Sequence, residues 1–224
     1  MKNAFIAAVA VAAVAGGAWF LTRPSVPADP VLGAAMAQDA EVDTSQITEM
    51  VKGDADAPVE VIEYASFTCP HCADFHQTQF PQIEENYVDT GKVRFVYREV
   101  YFDRPGLWAS MVARCGGEDR FFGITDLIYE RQQDWARRES GEEIVADLRR
   151  IGKVAGLTDE NLDSCLNDGE TAQNLYGWYQ ANAEADDVQS TPSFVIQGEK
   201  YSNMSYDDFA AVLDEKLAEA DAAE

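Results

Sequence analysis

The chain has 224 residues, of which 46% are hydrophobic and 25% are charged, a composition that suits one folded domain and argues against a wholly disordered chain. Lys and Arg total 17 against 40 Asp and Glu, so the formal net charge is -23 at pH 7. Because such a surface repels polyanions, we expect no nucleic-acid partner.

The chain begins with an apolar segment that indicates export. Residues 4 to 21 are apolar without interruption and follow a single early lysine, a pattern typical of a secretory signal or of a short membrane anchor. We therefore predict that residues 1–21 are a signal sequence or an N-terminal membrane anchor. Residues 22–54 contain three prolines and no sustained apolar period, which predicts a linker.

A strand, a helix and a second strand are predicted next. Val59 to Ala65 is a β-rich run bounded by a proline and a turn. Residues 72–87 carry apolar side chains at helical spacing, and Pro81 is expected to kink the helix. Residues 93–102 are rich in β-branched and aromatic side chains, which favours a second strand. This order predicts a βαβ unit with parallel strands.

The rest of the chain is predicted to be mostly helical. Residues 104–187 contain amphipathic stretches separated by glycines, which indicates a helical block. Strand signals return at Ser193–Ile196 and again near Lys200, with a glycine-containing turn between them, so we expect a hairpin. A last helix is predicted over residues 206–218, followed by an acidic tail at 219–224.

The sequence Cys69-Pro70-His71-Cys72 lies between the first strand and the helix. A thiol at a helix N-terminus meets unpaired backbone N–H groups and the positive end of the helix dipole, which stabilise a thiolate. Pro70 fits the first helical turn, and His71 can lower the pKa of the Cys69 thiol by a hydrogen bond or a positive charge. We expect Cys69 to be exposed and Cys72, one turn later, to be the buried resolving thiol.

A metal site is the alternative from a different class. Cys69, Cys72 and His76 offer three ligands on one turn of helix, which would suit a metal-binding or metal-delivery module. A fourth ligand is missing, so we predict no metal and interpret His76 as a residue on the helix surface.

The other two cysteines, Cys115 and Cys165, lie within predicted helices. An even number of cysteines in an exported protein favours pairing. We predict a structural disulfide, because neither cysteine belongs to a C-x-x-C sequence at a helix N-terminus. A second redox pair and two buried free thiols are the alternatives.

The run from Glu63 to Cys72, the helical insertion and the sequence Thr191-Pro192-Ser193-Phe194 together resemble the DsbA-like branch of the thioredoxin superfamily. The likeness extends over about residues 55–218. It implies an α/β, thioredoxin-like fold, in which residues 55–103 and 188–218 form the thioredoxin-like domain. Residues 104–187 would be a helical insertion between the βαβ and ββα halves.

The resemblance also implies an activity. The protein would be an enzyme, a periplasmic protein thiol:disulfide oxidoreductase that needs no cofactor. We expect an oxidase that introduces disulfides into substrate proteins with free thiols through the Cys69–Cys72 pair. Cys69 would be the nucleophile and Cys72 the resolving cysteine, while Pro70 and His71 would set the redox potential. By resemblance, a DsbB-like membrane partner would reoxidise the pair.

Three further site residues follow from the resemblance. Pro192 matches the cis-proline of the superfamily, and with Thr191 before it would offer backbone groups to a substrate peptide. Glu63 matches a buried acid that assists proton transfer to or from Cys72; an acid facing water at the edge of the sheet is the alternative. Many relatives have Gly where this chain has Ser190, and Thr before the proline occurs in oxidases and isomerases alike. An isomerase or reductase therefore remains an alternative activity.

Overall fold

The structure is a computed structural model that describes residues 42–223. The predicted signal or anchor at 1–21 and the first part of the predicted linker, 22–41, lie outside the described residues. Among residues 42–223, no helix has both the length and the apolar character needed to cross a membrane.

The strands of the described chain form one mixed sheet. In chain order they are β1 (Met50–Lys52), β2 (Val59–Ala65), β3 (Val93–Glu99), β4 (Ser193–Ile196) and β5 (Glu199–Ser202). Their order across the sheet is β1-β3-β2-β4-β5. The central strands β2 and β3 run parallel, whereas the other neighbouring strands pair antiparallel.

The described chain also contains helices of very different length. They are α1 (Pro70–Thr78), α2 (Phe80–Ile83), α3 (Arg104–Arg114), α4 (Glu118–Glu130), α5 (Gln132–Trp135), α6 (Gly141–Val154), α7 (Asp159–Leu166), α8 (Gly169–Ala185) and α9 (Tyr206–Ala223). A 3-10 turn (Thr44–Gln46) precedes β1, and a π-helical turn (Glu84–Val88) follows α2. Helices α3 to α8 form one block between β3 and β4.

The predicted order of elements is confirmed. The parallel strands β2 and β3 are joined by α1 and α2, as a βαβ unit requires. The helical path is interrupted at Gln79, two residues before Pro81, which agrees with the expected kink. The β4–β5 hairpin turns at Gln197 and Gly198, both of which have positive φ.

Several elements differ from the sequence prediction. Strand β3 ends at Glu99 instead of residue 102, because its partner β2 ends opposite it at Ala65. Strand β1 lies in the segment predicted as a linker; it is only three residues long, and it exists because it pairs with the distant strand β3. Helix α9 continues to Ala223 instead of ending at residue 218. The ammonium group of Lys216 lies 3.2 Å from a carboxylate oxygen of Glu219, one turn later, which favours continuation of the helix.

Aromatic packing fixes helix α1 against the sheet. The ring of Phe75 on α1 lies 4.8 Å from that of Phe194 on β4, and the ring of Phe80 on α2 lies 4.6 Å from that of Phe95 on β3. Each such pair contributes about 0.5–1.5 kcal/mol beyond its buried area. As a result, the N-terminus of α1 is held just beyond the C-terminal end of β2.

Candidate active site

Cys69 is the N-cap residue of helix α1, and Pro70 occupies the first turn. The backbone N–H of Cys69 donates to the carbonyl of Ser66 at 3.0 Å, and its carbonyl accepts from the N–H of Ala73 at 3.2 Å. Cys69 is half-buried, whereas Pro70 and His71 are exposed. The sulfur therefore lies at the free, electropositive end of the helix and is open to a partner.

The surroundings of Cys69 stabilise its thiolate. A hydrogen bond from the Cys72 thiol is the largest influence, and with hydrogen bonds from the Thr191 side chain and from backbone N–H groups it lowers the pKa of Cys69 to about 5, against the opposing effect of burial. From the sequence, the imidazole of His71 is expected to lower this pKa. In the structure, the contribution of His71 to this pKa comes through its backbone N–H.

Cys72 has the opposite character. It is fully buried, and burial, the hydrogen bond to Cys69 and the negative charge of Glu63 raise its pKa far above the ordinary value. Both cysteines are free thiols in this structure. The reduced pair therefore keeps its proton on the inner sulfur and its negative charge on the outer one.

Sheet pairing brings Thr191 and Pro192 to the same place. Strand β4 pairs with β2, which sets the segment just before Ser193 beside the end of β2. The Thr191–Pro192 peptide bond is cis, as the resemblance implied. When protonated, the Cys69 thiol donates to the carbonyl oxygen of Thr191 at 3.4 Å.

Glu63 and His76 form a buried pair behind Cys72. Glu63 is fully buried on the central strand β2, so the alternative of an acid facing water is wrong. The interpretation of His76 as a surface residue is also wrong, because it is 5% exposed and its Nε2 lies 2.8 Å from Oε2 of Glu63. His76 follows Cys72 by four residues, which places both on the face of α1 that packs on the sheet.

Two tyrosines enclose this pair. The ring of His76 stacks on that of Tyr129 at 4.6 Å. The Tyr129 hydroxyl donates to the carbonyl of Ser66 at 3.3 Å and lies 2.7 Å from the hydroxyl of Tyr97. Burial raises the pKa of both tyrosines far above the ordinary value. The sequence does not identify either tyrosine as a site residue, since they come from the distant elements α4 and β3.

The metal alternative finds no support in this geometry. It requires Cys69, Cys72 and His76 to face one point, but His76 faces Glu63. Residues 42–223 contain no group of three or more His, Cys, Asp or Glu side chains arranged to hold a metal ion.

Sequence reasoning also missed a contact from the helical block. The Nε2 of Gln132, in α5, donates to the carbonyl oxygens of Phe67 at 2.8 Å and of Cys69 at 2.9 Å. On the opposite side of this loop, the hydroxyl of Thr68 donates to Asp103 at 2.9 Å. No local pattern identifies Gln132, because its role depends on tertiary packing alone.

Cys115 and Cys165 form the predicted disulfide, so the alternative of two free thiols is wrong. Cys115 caps the C-terminus of α3, and Cys165 lies in α7. The bond therefore ties together two helices within the helical block.

Comparison with known proteins identifies the family. A family model described as Thioredoxin matches residues 45–215. The "Putative protein-disulfide oxidoreductase" of Rickettsia bellii is 33% identical over 198 residues, which cover 85% of this chain and 75% of that protein. A protein of the same name from Rickettsia felis is 35% identical over 172 residues, covering 76% of this chain and 61% of its relative.

Solved structures agree with this assignment. The crystal structure of Wolbachia pipientis alpha-DsbA1 superimposes with a TM-score of 0.73 at 26% sequence identity, over 79% of this chain and 94% of that one. The predicted α/β, thioredoxin-like fold class is thereby confirmed. The chain belongs to the thioredoxin family, in its branch of DsbA-like thiol:disulfide oxidoreductases.

Proposed function

We propose that this protein is an exported oxidase that introduces disulfides into substrate proteins through the Cys69–Cys72 pair. The observation that carries this proposal is the placement of the two sulfurs, with Cys69 half-buried at the N-terminus of α1 and Cys72 fully buried. This arrangement lowers the pKa of Cys69 to about 5 and raises that of Cys72. A stabilised thiolate stabilises the reduced form of the pair. The disulfide form is correspondingly a stronger oxidant.

The reaction then follows the course of thiol–disulfide exchange. A substrate thiolate attacks the Cys69 sulfur of the oxidised protein, the Cys69–Cys72 bond breaks, and Cys72 leaves with the electron pair and takes a proton. A second substrate thiolate attacks the substrate sulfur of the mixed disulfide and releases Cys69 as a thiolate. The substrate loses two electrons, which the reduced pair now carries.

The neighbouring residues have supporting roles in this proposal. Glu63 supplies or accepts the proton of Cys72, a role supported by its burial and by the effect of its charge on that thiol. Thr191 and Pro192 hold the substrate peptide by backbone contacts, a role supported by the approach of the Cys69 sulfur to the Thr191 carbonyl. Pro70 and His71 form the exposed rim of the site and influence the redox potential.

The proposed location is the periplasm. The apolar segment at residues 4–21 supports export, and the Cys115–Cys165 disulfide supports an oxidising compartment. Each turnover leaves two electrons on the Cys69–Cys72 pair. We propose that a DsbB-like membrane partner accepts them.

The redox equilibrium of the purified protein with glutathione tests the proposal. The proposal predicts that reduced glutathione readily reduces the Cys69–Cys72 disulfide, because this pair is the stronger oxidant. The Cys115→Ala/Cys165→Ala variant should show the same redox equilibrium, because its Cys69–Cys72 pair is intact. The Cys69→Ser variant should show no such equilibrium, because it cannot form the Cys69–Cys72 disulfide. A pair that glutathione does not reduce would contradict the oxidase proposal and favour a reductase.

A further inference from the structure

The buried pair of Glu63 and His76 contains one ionisable group that the proposed reaction does not use. Glu63 is fully buried and His76 is 5% exposed, and they are joined by the 2.8 Å contact between Oε2 and Nε2. Ionisable groups are seldom buried without a partner, and their presence beside a reactive group marks a functional site more often than chance. His76 is the group without a role in that reaction.

Cys72 needs a proton source inside the protein. Each turnover as an oxidase puts a proton on Cys72, and this sulfur is fully buried. Glu63 is near enough for its charge to raise the pKa of Cys72, but it is itself cut off from solvent. A group that donates one proton must be reprotonated before the next turnover, so Glu63 needs a proton source of its own.

His76 is suitably placed to be that source. An imidazole can give a proton from one nitrogen and receive one at the other. Nε2 faces Glu63, while Nδ1 is buried and makes no hydrogen bond with any part of the described chain. The other buried polar atoms without a partner in residues 42–223 are Oε1 of Glu63, Oε1 of Gln79, just after α1, and Oγ1 of Thr125, on α4. The helices α1 and α4 are joined by the stacked rings of His76 and Tyr129, and both helices carry unsatisfied polar groups.

Helix α4 also carries an exposed acid beside Thr125. Asp126 follows Thr125 on α4 and is exposed. Neighbouring protein atoms partly desolvate its carboxyl group and raise its pKa, and the charge of His76 opposes that rise. His76 is therefore in contact with the buried Glu63 and within electrostatic reach of the exposed Asp126.

We propose that His76 is a positioning residue that relays protons between the α1–α4 interface and Glu63, and so supports protonation and deprotonation of Cys72 during disulfide exchange. This inference deepens the proposed function and rests on it. As the Cys69–Cys72 bond breaks, the Cys72 thiolate takes the proton of the Glu63 carboxyl group. Glu63 then regains a proton from Nε2 of His76, which is reprotonated from the interface side.

The proton count balances over a turnover. Two substrate thiols release two protons, Cys72 retains one, and Cys69 stays a thiolate, so one proton remains in solution. The ionisable groups around His76 are Glu63 from β2, Tyr97 from β3, and Tyr129 and Asp126 from α4, with Cys72 one turn before it on α1. The tyrosines stay protonated through neutral pH, because burial raises the pKa of both.

A double-mutant cycle on the full-length protein tests this role. The measured quantity is the single-turnover rate of oxidation of a reduced dithiol peptide by each oxidised variant between pH 5 and 9. We expect His76→Gln and Glu63→Gln each to slow this rate about tenfold or more and to change its pH profile. The double variant is expected to be no slower than Glu63→Gln, because His76 acts through Glu63. Asp74→Asn, on the exposed face of α1, serves as control and keeps the rate and pH profile of the unmodified protein.

A relay and a merely structural role give different results. If the role is a relay, the pH midpoint for alkylation of Cys69 stays near 5 in His76→Gln while the oxidation rate falls. An unchanged rate and profile in His76→Gln, additive losses in the double variant, or a shifted Cys69 midpoint would each overturn the inference. Failure of the proposed function itself is distinguishable, since the unmodified protein would then not oxidise the peptide.

A measurement on the unmodified protein avoids any folding defect of the variants. The chain has only two histidines, so the imidazole nitrogen resonances can be assigned with one His71→Ala spectrum. We expect the nitrogen shifts of His76 to change when the Cys69–Cys72 pair is reduced. Identical His76 shifts in the oxidised and reduced protein from pH 5 to 9 would overturn the relay.

Discussion

The side-chain amide of Gln132 lies 2.9 Å from the backbone carbonyl oxygen of Cys69. The helical block therefore contacts the thioredoxin-like part of the protein at the residue that carries the outer sulfur. Because Gln132 is almost completely buried, this contact holds the loop before α1 in one position. It gives the helical block a direct structural effect on the active site.

Replacement of Gln132 by alanine is expected to destabilise the protein. Gln132→Ala removes the side-chain donor of the Phe67 carbonyl and one of the two donors of the Cys69 carbonyl, and an unsatisfied buried polar group costs about 1–3 kcal/mol. Urea denaturation of the oxidised protein measures this loss. Gln133→Ala, at the exposed neighbouring position in the same helix, is the control and should change the free energy of unfolding by less than about 0.5 kcal/mol. Equal stability of the two variants would show that the loop is held by other contacts.

Removal of the Thr191 hydroxyl is expected to make Cys69 less acidic. The side chain of Thr191 is one of the hydrogen-bond partners that lower the pKa of Cys69, after the thiol of Cys72. Thr191→Val keeps the shape of the side chain and removes the hydroxyl, so the pKa of Cys69 should rise. The rate of Cys69 alkylation as a function of pH measures the change. Ser190→Ala, at the adjacent exposed position, should leave the pH midpoint of Cys69 alkylation unchanged. An unchanged midpoint in Thr191→Val as well would contradict the role assigned to the Thr191 hydroxyl.

Removal of the second disulfide is expected to lower stability without changing the reactive cysteine. The bond closes a loop between residues 50 positions apart, and disulfides of this kind typically contribute about 2–4 kcal/mol. Cys115→Ala/Cys165→Ala should therefore unfold at a lower urea concentration. Its Cys69 alkylation midpoint should match that of the unmodified protein. A shifted midpoint would mean that the helical block transmits strain to α1.

The buried ion pair between Arg114 and Glu99 is expected to matter far more than an exposed one. Two nitrogens of Arg114 lie 2.7 Å from the two oxygens of Glu99, whose side chain is 1% exposed. Arg114→Ala should cost about 3–5 kcal/mol, because it leaves a buried carboxylate unpaired. Arg149→Ala, which breaks exposed contacts to Asp163 and Asp159, should cost less than about 1 kcal/mol. Denaturant titrations measure both losses. A similar loss of unfolding free energy in Arg114→Ala and Arg149→Ala would contradict the importance of the buried pair with Glu99.

The stability of the reduced protein should depend on pH in a definite direction. The pKa of Cys69 in the folded protein, about 5, lies below that of an unfolded thiol, about 8.5. The unfolded state therefore binds more protons between these values, so the Cys69 contribution to stability is present above about pH 8.5 and is lost as the pH falls through about 5. Above about pH 8.5 stability should decline again, because the raised pKa of Cys72 keeps that thiol protonated in the fold.

Urea denaturation of the reduced protein against pH tests this dependence. Cys69→Ser is the matched control, since it retains Cys72 but lacks the acidic thiol. The difference in unfolding free energy between the two proteins should grow from pH 5 to pH 8. A difference that is constant with pH would mean that the fold does not favour the Cys69 thiolate.

Local signals in the sequence were sufficient for much of the fold. The β-branched run at Val59–Ala65, the helical spacing after Cys69 and the turn at Gly198 each identify one element. The position of Cys69 at a helix N-terminus also follows from the sequence, because a strand ends just before it and Pro70 suits the first turn. These features depend on neighbours in the chain, so the sequence alone reveals them.

The features that the sequence did not reveal depend on distant partners. Strand β1 is too short to show a period, and only pairing with β3 makes it a strand. The contacts of Gln132 arise from packing of α5 on the loop before α1. The burial of His76 could have been predicted, since its i+4 spacing from Cys72 places it on the same, buried face of α1. That spacing did not reveal Glu63 as its partner, because this contact spans two elements.

The central claim is that the fold holds the Cys69 sulfur as a thiolate, and its alkylation rate against pH tests this most directly. The reduced full-length protein is reacted with iodoacetamide over pH 3 to 9, and labelling at Cys69 is followed by mass spectrometry. We predict a midpoint near pH 5, with Cys72 unlabelled because it is fully buried. A midpoint near 8.5, the value of an unperturbed thiol, would contradict the account.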